Sequence, residues 1–462
     1  MTAITSTNPF RPDEVVATAE PPDSAALDAT VAMAVEAQRE WRRDAPGRSR
    51  ALDDLADAVA GRDGLAELIT REVGKPISEA RGEVARAVAI LRYYAQATFD
   101  PTGEIYPASA PATTVQVRRD PLGVVLAICP WNFPLAIPLW KAAPALAYGN
   151  AVVLKPAAPA IGVAAVLGEL AAAALPGGVL AVVDVPGAEL GGLLDDPRIA
   201  AATFTGSTAT GIAVAERLAR RAAPAQAEMG GQNPAIVLGD ADPATAAGLI
   251  VAGSMPFAGQ KCTATRRVVA VDAVADALVD ELAAAVAALP VGDPAAEDTL
   301  VGPLIDERAA AGLEERVAGA RERGAGLIAT AEPPAGDGHF AAPTILAADD
   351  PGDEVNQEET FGPLLTVIRA ADAEAAVAIA NSTRYGLVGA VHGRDVAAAT
   401  AVAEGIDCGL IRVNAVTPGV DYYAPFGGER LSSHGPREQG RAARDFFTTT
   451  RTLTIVAPGL SD

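Results

Sequence analysis

The hydrophobic positions of the first hundred residues recur at helical spacing. Between residues 24 and 98, apolar side chains return every three or four positions, as in the series Val84, Ala87 and Leu91. This period places them on one face, so it predicts a mainly helical N-terminal segment. The segment 101–120 differs, because it is rich in Pro, Thr and Ala and its TTVQVRR run alternates apolar with polar residues. Such alternation predicts a strand with one solvent-exposed face, which lies at the edge of a sheet or bridges two subunits.

From residue 122 onward, short apolar runs alternate with helix patterns. The predicted strands are LGVVLAI (122–128), AVVLKP (151–156), VLAVVDV (179–185), AATFTG (201–206) and AQAEMG (225–230), and the predicted helices are 138–148, 161–174, 188–195 and 208–223. Alternating β and α elements of this length predict a parallel, doubly wound sheet. The pattern begins again at PAIVLGD (234–240) and continues through RRVVAV (266–271), which indicates a second α/β domain. The run TTTRTLTIV near the C-terminus predicts one further strand.

Composition narrows the function classes. The chain has 462 residues, with 36 Lys plus Arg against 58 Asp plus Glu, a formal charge of -22. This charge opposes binding to nucleic acid or to an anionic membrane. Three Cys exclude a disulfide scaffold, and three His argue against a metal site, so no metal is expected. The first twenty residues show no signal-peptide pattern, and prolines interrupt the apolar run 123–140, so we expect a cytoplasmic protein with reduced thiols.

Three side chains stand in surroundings that favour catalysis. Cys262, in FAGQKCTATRRV, has polar neighbours on both sides, although a free Cys is more often a buried structural residue. Glu228, in AQAEMGGQNP, lies on an apparently buried strand, where desolvation would raise the pKa of a carboxyl group toward that of a general base. A solvated glutamate is the alternative. Asn132, in CPWNFP, could be an oxyanion donor in a rigid loop or a simple turn former.

A nucleotide site is indicated less directly. The run TFTGSTATG (203–211) predicts a strand, a turn and a helix whose N-terminal N–H groups could hold a phosphate, with Ser207 or Thr208 as the cap. Lys155 directly follows a predicted strand, where it suits a sugar hydroxyl or phosphate, although a lysine at a strand end is more often simply solvated. No GxGxxG motif is present, so a nucleotide would be bound by another geometry than the standard dinucleotide fingerprint.

Taken together and in order, these motifs resemble the aldehyde dehydrogenase superfamily over essentially the whole chain. The matching segments are PWNFPLAIPLWKAAPALAYGNAVVLKPA, FTGSTATG, EMGGQNP, GQKCTATRRV, EETFGPLL and PFGGERLSSHGPREQG, and Glu228 and Cys262 are 34 positions apart. The resemblance implies an α/β fold of two doubly wound domains with a bridging β oligomerisation element. The implied parts are a cofactor domain (1–102 and 122–230), a catalytic domain (231–431) and the oligomerisation element (103–121 and 432–462) of a homodimer or homotetramer.

The resemblance also implies a role for individual residues. Cys262 would be the nucleophile, Asn132 would hold the oxyanion, and Glu228 would activate the water that hydrolyses the thioester. NAD or NADP would be the cofactor. Its implied contacts are Trp131, Lys155, Ala158, Gly206, Ser207, Glu359 and Phe361. Because NAD-preferring relatives often have a Glu at the position of Ala158, its absence here predicts that NADP is accepted.

The substrate is implied only as a class. GQKCTAT with SSHGPREQG is most similar to the 2-oxoglutarate semialdehyde dehydrogenase type, which suggests a semialdehyde. The succinic semialdehyde type usually has Arg before the Lys of the PWNFP helix, where this chain has Trp140. An apolar aldehyde tunnel would be lined by Phe133, Trp140, Val420 and Phe426. Arg266 is a weaker candidate for pairing with a substrate carboxylate, since a structural arginine is the more common role.

Two other functions remain open from the sequence. A CoA-acylating aldehyde dehydrogenase would transfer the acyl group to CoA instead of water, and such enzymes typically lack the Glu found here at position 228. A non-catalytic protein on the same fold would have no need to retain Cys262, Glu228, Asn132 and Glu359 together.

Overall fold

A computed structural model describes residues 2–457 of the chain. Its N-terminal part is a hairpin followed by four helices and two strands: β1 (Ile4–Asn8), β2 (Arg11–Ala19), α1 (Ser24–Trp41), α2 (Ala45–Ala60), α3 (Leu65–Val73), α4 (Ile77–Ala97), β3 (Gly103–Tyr106) and β4 (Thr113–Pro121). The helical prediction for 24–98 is confirmed. The hairpin was not predicted, because its strands are polar and few of their residues are buried. Among the described residues, no helix is long and apolar enough to cross a membrane.

The second part is the first parallel sheet and its helices. Its elements are β5 (Val124–Ile128), α5 (Ala136–Ala147), β6 (Ala151–Lys155), α6 (Ile161–Ala174), β7 (Leu180–Val182), α7 (Gly191–Asp195), β8 (Ile199–Thr205), α8 (Thr208–Ala219) and β9 (Ala225–Glu228). The parallel strands run in the order β9-β8-β5-β6-β7. Successive residues of β5 enter different cores, Val125 on one face and Leu126 on the other. Burial of both faces confirms a doubly wound sheet.

The third part is the second α/β unit. It contains β10 (Asn233–Val237), α9 (Pro243–Ser254), β11 (Thr265–Val271), α10 (Asp272–Ala287), α11 (Glu307–Glu322), β12 (Gly326–Thr330), β13 (Thr344–Ala347), α12 (Glu354–Gln357), β14 (Leu364–Ala370), α13 (Ala373–Ala380), β15 (Tyr385–Gly386), β16 (Val388–His392), α14 (Val396–Ala403) and β17 (Leu410–Val413). The strand order is β12-β13-β14-β11-β10-β16-β17, and β12 alone in it pairs antiparallel. Here too, neighbouring residues of β10 enter separate cores.

The C-terminal segment pairs with both the first sheet and strand β4. It contains β18 (Glu429–Arg430), β19 (Ser433–His434), α15 (Ala443–Phe447) and β20 (Thr448–Val456). β19 adds to the first sheet by pairing with β9, which sets Ser433 opposite Glu228. β20 pairs with β4 and β4 with β3, so that the predicted strand at 448–456 is confirmed. This sheet carries exposed apolar side chains, among them Ile105 and Val456. Residues 458–462 of the predicted oligomerisation element lie outside the described residues.

Candidate active site

Cys262 follows a strained turn between α9 and β11. Phe257, Ala258 and Gly259 have φ values of +58°, +50° and +65°. Left-handed backbone at a residue with a Cβ costs roughly 1–2 kcal/mol, and such strain is concentrated at functional sites. At Gly259 a Cβ would also lie 2.9 Å from the carbonyl oxygen of Ser254. The turn therefore requires glycine at its last position, and it presents Cys262 beyond the end of α9.

Two buried side chains hold the backbone around Cys262. The side-chain Nδ2 of Asn233 donates to the carbonyl oxygens of Cys262 (2.7 Å) and Ala264 (2.8 Å). Arg266 is 2% exposed and donates to the carbonyl oxygens of Gly362 (2.5 Å) and Gly259. Arg266 therefore holds the loop in place through its backbone carbonyl groups. Sequence reasoning missed Asn233, although a polar residue at the start of a buried strand was a usable signal.

Asn132 is tied to the same loop. It is 5% exposed, and its Nδ2 donates to the carbonyl oxygen of Gln260 at 3.0 Å. A primary amide has two N–H groups. Among the described residues, the second N–H of Asn132 has no acceptor. One N–H can thus keep the side chain fixed, while the other donates to a substrate oxygen on which negative charge develops.

Glu228 is the last residue of β9 and is 3% exposed. Its Oε2 accepts from the Oγ of Ser433 at 2.5 Å, and its Oε1 accepts from the Nε2 of Gln226 at 3.0 Å. Burial raises the pKa of the Glu228 carboxyl well above its usual range, and the charge of Glu438 adds to the rise. A buried carboxyl with a raised pKa is suited to general base catalysis near neutral pH. Ser433 was not identified from the sequence.

A buried polar cluster continues behind Glu228. Thr203 donates from its Oγ1 to the Oε1 of Gln226 at 2.6 Å. Lys141 donates from its Nζ to the Oγ1 of Thr203 at 2.9 Å and pairs with Glu438. Unpaired buried polar groups are costly, so these side chains keep their hydrogen bonds to one another. The cluster thereby holds the Glu228 carboxyl group in position through Gln226.

Glu359 closes another side of the site. Its Oε1 accepts from the backbone N–H of Gly231 at 3.1 Å, and burial raises the pKa of its carboxyl. A Cβ at Gly230 would clash with this carboxylate, so the glycine at that position makes room for Glu359. Nearby, the ring of Trp131 packs edge-to-face on that of Phe361, with centroids 5.7 Å apart. The structure thus brings together Trp131 from one motif and Glu359 and Phe361 from another.

The Cys262 thiol shares this environment. Burial raises its pKa to about 12, and the charges of Glu359 and Glu228 contribute to the rise. The thiol is consequently protonated at neutral pH in the free protein. Since the thiolate is the reactive form, Cys262 needs proton removal before it can act as a nucleophile.

Cys262 opens on a cavity of about 270 Å³. The four residues predicted for an aldehyde tunnel all line it: Phe133, Trp140, Val420 and Phe426. The rings of Trp140 and Phe426 lie 5.6 Å apart. A second wall is charged, and the sequence analysis missed it. Its charged residues are Glu79, Glu83, Arg86 and Lys261.

Polar groups also gather where β6, β7 and β8 end. Lys155 ends β6 and is half-buried, and burial lowers the pKa of its ammonium group. Among residues 2–457, buried side-chain oxygens without a hydrogen-bond partner include those of Asp184, Thr205 and Thr208. Unpaired buried polar atoms are costly. The free oxygens at the carboxyl ends of these strands, which form one edge of the sheet, therefore suit a ligand rich in hydroxyls and phosphates. The sequence analysis missed Asp184 and Thr205.

The start of α8 faces the same edge. Ser207 is its N-cap and accepts from the N–H of Thr210 at 3.4 Å. Gly206 packs so closely on the Phe204 ring that a Cβ would lie 2.6 Å from it. Ala158, in the 3₁₀ turn Ala158–Ala160, is exposed and adds no carboxylate beside Lys155. The residues at this edge fit a dinucleotide, with the positive helix end available for phosphate.

Comparison with known proteins identifies the family. The model of the aldehyde dehydrogenase family matches residues 1–453. An alpha-ketoglutaric semialdehyde dehydrogenase of Bacillus subtilis is 36% identical over 97% of this chain and 93% of its own length. An alpha-ketoglutarate semialdehyde dehydrogenase of Haloferax volcanii is 39% identical over 97% and 94%. An NAD-dependent aldehyde dehydrogenase structure from Sinorhizobium meliloti superposes with a TM-score of 0.95 at 32% identity, covering 100% of this chain and 93% of that one. The chain therefore belongs to the aldehyde dehydrogenase family and is an NAD(P)-dependent enzyme that oxidises aldehydes.

Proposed function

We propose that Cys262, Glu228 and Asn132 carry out this oxidation. The proposal is supported by the presence of three groups in one site. They are the thiol of Cys262, the carboxyl group of Glu228 with its raised pKa, and the amide of Asn132, which is held through one N–H and, among the described residues, has no acceptor for the other. The Cys262 thiol gives up its proton to water, and the resulting thiolate attacks the aldehyde carbon. The oxyanion that forms accepts from Asn132 and from the backbone N–H of Cys262. After oxidation a thioester joins the acyl group to Cys262, and Glu228 removes a proton from the water that hydrolyses it.

The cofactor would bind at the carboxyl ends of β6, β7 and β8 in the first sheet, where the unpaired polar groups lie. A nicotinamide bound there would supply the acceptor for the hydride that leaves the substrate carbon. Lys155 and Ser207 would hold the adenosine and phosphate portions, with Gly206 allowing close approach. Glu359 would hold the nicotinamide ribose beside the Trp131–Phe361 pair. Since Ala158 brings no carboxylate to the site, we expect NADP to be accepted as well as NAD.

A semialdehyde is the proposed substrate. Two similar proteins are named for the semialdehyde of 2-oxoglutarate, and the cavity next to Cys262 combines an apolar wall with a charged one. An aldehyde whose other end is a carboxylate would match both walls. We further propose the domain roles given above and a homodimer or homotetramer built through 103–121 and 447–457, because the sheet there has exposed apolar side chains.

An absorbance assay of reduced nicotinamide tests these proposals. The enzyme is given a panel of aldehydes, each with NAD and with NADP, in the presence and absence of CoA. We expect turnover without CoA, the highest kcat/KM for semialdehydes, and activity with both cofactors. A strict need for CoA would show the acylating reaction instead, and no turnover with any aldehyde would favour a non-catalytic protein. Glu228, buried beside Cys262, favours hydrolysis by water.

A further inference from the structure

The charged wall of the cavity is one face of a helix. Glu79, Gly82, Glu83 and Arg86 all line the cavity, and all four lie on α4. Their spacing of three and four residues places them on the same helical face. At Gly82 an added Cβ would meet nothing within 4 Å, so the cavity is open one turn before Arg86.

Charge compensation on this wall is incomplete. Glu83 pairs with the buried Lys75, and Glu79 pairs with Lys261 at 2.7 Å. Both carboxylates of the wall are therefore neutralised. Arg86 is half-buried and donates to the carbonyl oxygen of Val420, and among residues 2–457 it has no carboxylate partner. A net positive charge is left facing the cavity that contains Cys262.

Arg86 also has donors to spare. A guanidinium has five N–H groups, and its planar fork matches the two oxygens of a carboxylate. The contact with Val420 uses one nitrogen and orients the group from the loop that forms the cavity's other side. The lining of the same cavity includes Phe133, Ile137 and Trp140, whose apolar surfaces suit methylene groups.

We propose that Arg86 binds the carboxylate at the far end of the substrate and so selects aldehydes that carry an ω-carboxylate. This assignment rests on the proposed semialdehyde oxidation and names the residue that makes it selective. The aldehyde carbon would be at Cys262, the methylene groups along the aromatic wall, and the carboxylate at Arg86. Arg266, the arginine considered from the sequence, is the poorer candidate because it is 2% exposed and its guanidinium donates to the backbone carbonyl groups of Gly362 and Gly259.

The test compares two aldehydes of equal chain length, 5-oxopentanoate and pentanal. The variant is Arg86→Gln, and its matched control is Arg81→Gln on the same helix, whose partner is the exposed Glu297 at 2.8 Å. We expect Arg86→Gln to lower the ratio of kcat/KM for 5-oxopentanoate to that for pentanal by about 10- to 150-fold, mainly through KM, as for lost hydrogen bonds to a charged group. Arg86→Lys should restore part of the ratio, and Arg81→Gln should leave it unchanged.

The outcomes separate this assignment from the proposed function. If the unmodified enzyme prefers 5-oxopentanoate and Arg86→Gln keeps that preference, the semialdehyde function stands and the assignment of Arg86 is wrong. Equal losses for both aldehydes would show a structural role through Val420 and would also overturn the assignment. If the unmodified enzyme does not prefer 5-oxopentanoate over pentanal, the proposed substrate class itself fails. Thermal unfolding of each variant, measured alongside, shows whether a loss reflects misfolding.

Discussion

Glu83 joins the cavity wall to the loop that carries Asn132. Its Oε1 accepts from the backbone N–H groups of Leu135 (2.9 Å) and Ala136 (3.0 Å), at the start of α5. Its Oε2 pairs with Lys75, and both side chains are completely buried. The ammonium group of Lys75 lies 3.7 Å from the centroid of the Phe133 ring. Replacing Glu83 by Gln therefore leaves a buried cation without its counter-charge.

The magnitude follows from this arrangement. Removing one partner of a buried ion pair destabilises a protein by about 3–5 kcal/mol. The amide oxygen of Gln can still accept from the N–H groups of Leu135 or Ala136, so we expect a value near the lower end, ~3 kcal/mol. The entropy of unfolding is about 2.1 cal/mol/K per residue, so a chain of 462 residues loses about 1 °C in Tm per kcal/mol, and Tm should fall by about 3 °C.

Scanning calorimetry at one fixed scan rate measures the change. The control is Glu297→Gln, which breaks an exposed pair with Arg81 and should cost less than about 1 kcal/mol. The double variant Lys75→Met, Glu83→Gln removes both buried charges and should recover much of the loss. If Glu83→Gln and Glu297→Gln unfold at the same temperature, or if the double variant is less stable than Glu83→Gln, this reasoning is refuted.

Three further predictions concern the turn, the thiol and the cofactor. Gly259→Ala should destabilise the protein more than Gly64→Ala and should reduce kcat/KM. Both glycines have a positive φ, but only at Gly259 would an added Cβ collide with backbone atoms. Equal effects of the two substitutions in calorimetry would contradict this prediction. Alkylation of Cys262 in the free enzyme, followed by peptide mass spectrometry, should accelerate about tenfold per pH unit from pH 7 to 10, since a raised thiol pKa leaves little thiolate; a plateau below pH 9 would contradict it. Ala158→Glu should lower kcat/KM for NADP at least tenfold more than for NAD, because the new carboxylate repels the 2′-phosphate. A preference of the unmodified enzyme for NAD of about a thousandfold (~4 kcal/mol) would contradict the interpretation of Ala158.

Much of the fold could be predicted because its elements have strong local patterns. Helix α6 at Ile161–Ala174 and strand β20 at Thr448–Val456 match their predicted bounds, since largely apolar or β-branched runs define both. Helix α8 ends at Ala219, four residues before its predicted end, and Ala222 beyond it has a positive φ of 55°. The backbone reversal there was not visible in an alanine-rich sequence.

The site could be predicted only where residues belong to contiguous motifs. Cys262, Glu228 and Asn132 stand in such motifs, whereas their supports come from distant parts of the chain. Ser433 reaches Glu228 because β19 pairs with β9, a contact that spans 205 positions. Arg86 lines the cavity through the packing of α4, and its helical pattern alone resembles that of any solvated helix face. Long-range pairing of this kind has no local signal in a single sequence.

The most direct test of the catalytic proposal is a rapid-mixing experiment on Glu228→Gln. Enzyme, cofactor and excess semialdehyde are mixed, reduced nicotinamide is followed by absorbance, and the quenched protein is digested for mass spectrometry. Cys262→Ala serves as the variant without a nucleophile, and Glu374→Gln, on the exposed surface of α13, as the matched control.

We predict that Glu228→Gln gives one rapid equivalent of reduced nicotinamide and an acyl group on the peptide that contains Cys262. Its steady rate should be lower by ~10²–10⁴-fold, the usual contribution of a general base. Cys262→Ala should give neither burst nor acyl group, and Glu374→Gln should behave as the unmodified enzyme. Equal loss of burst and steady rate in Glu228→Gln, or near-normal turnover of Cys262→Ala, would contradict the proposed chemistry.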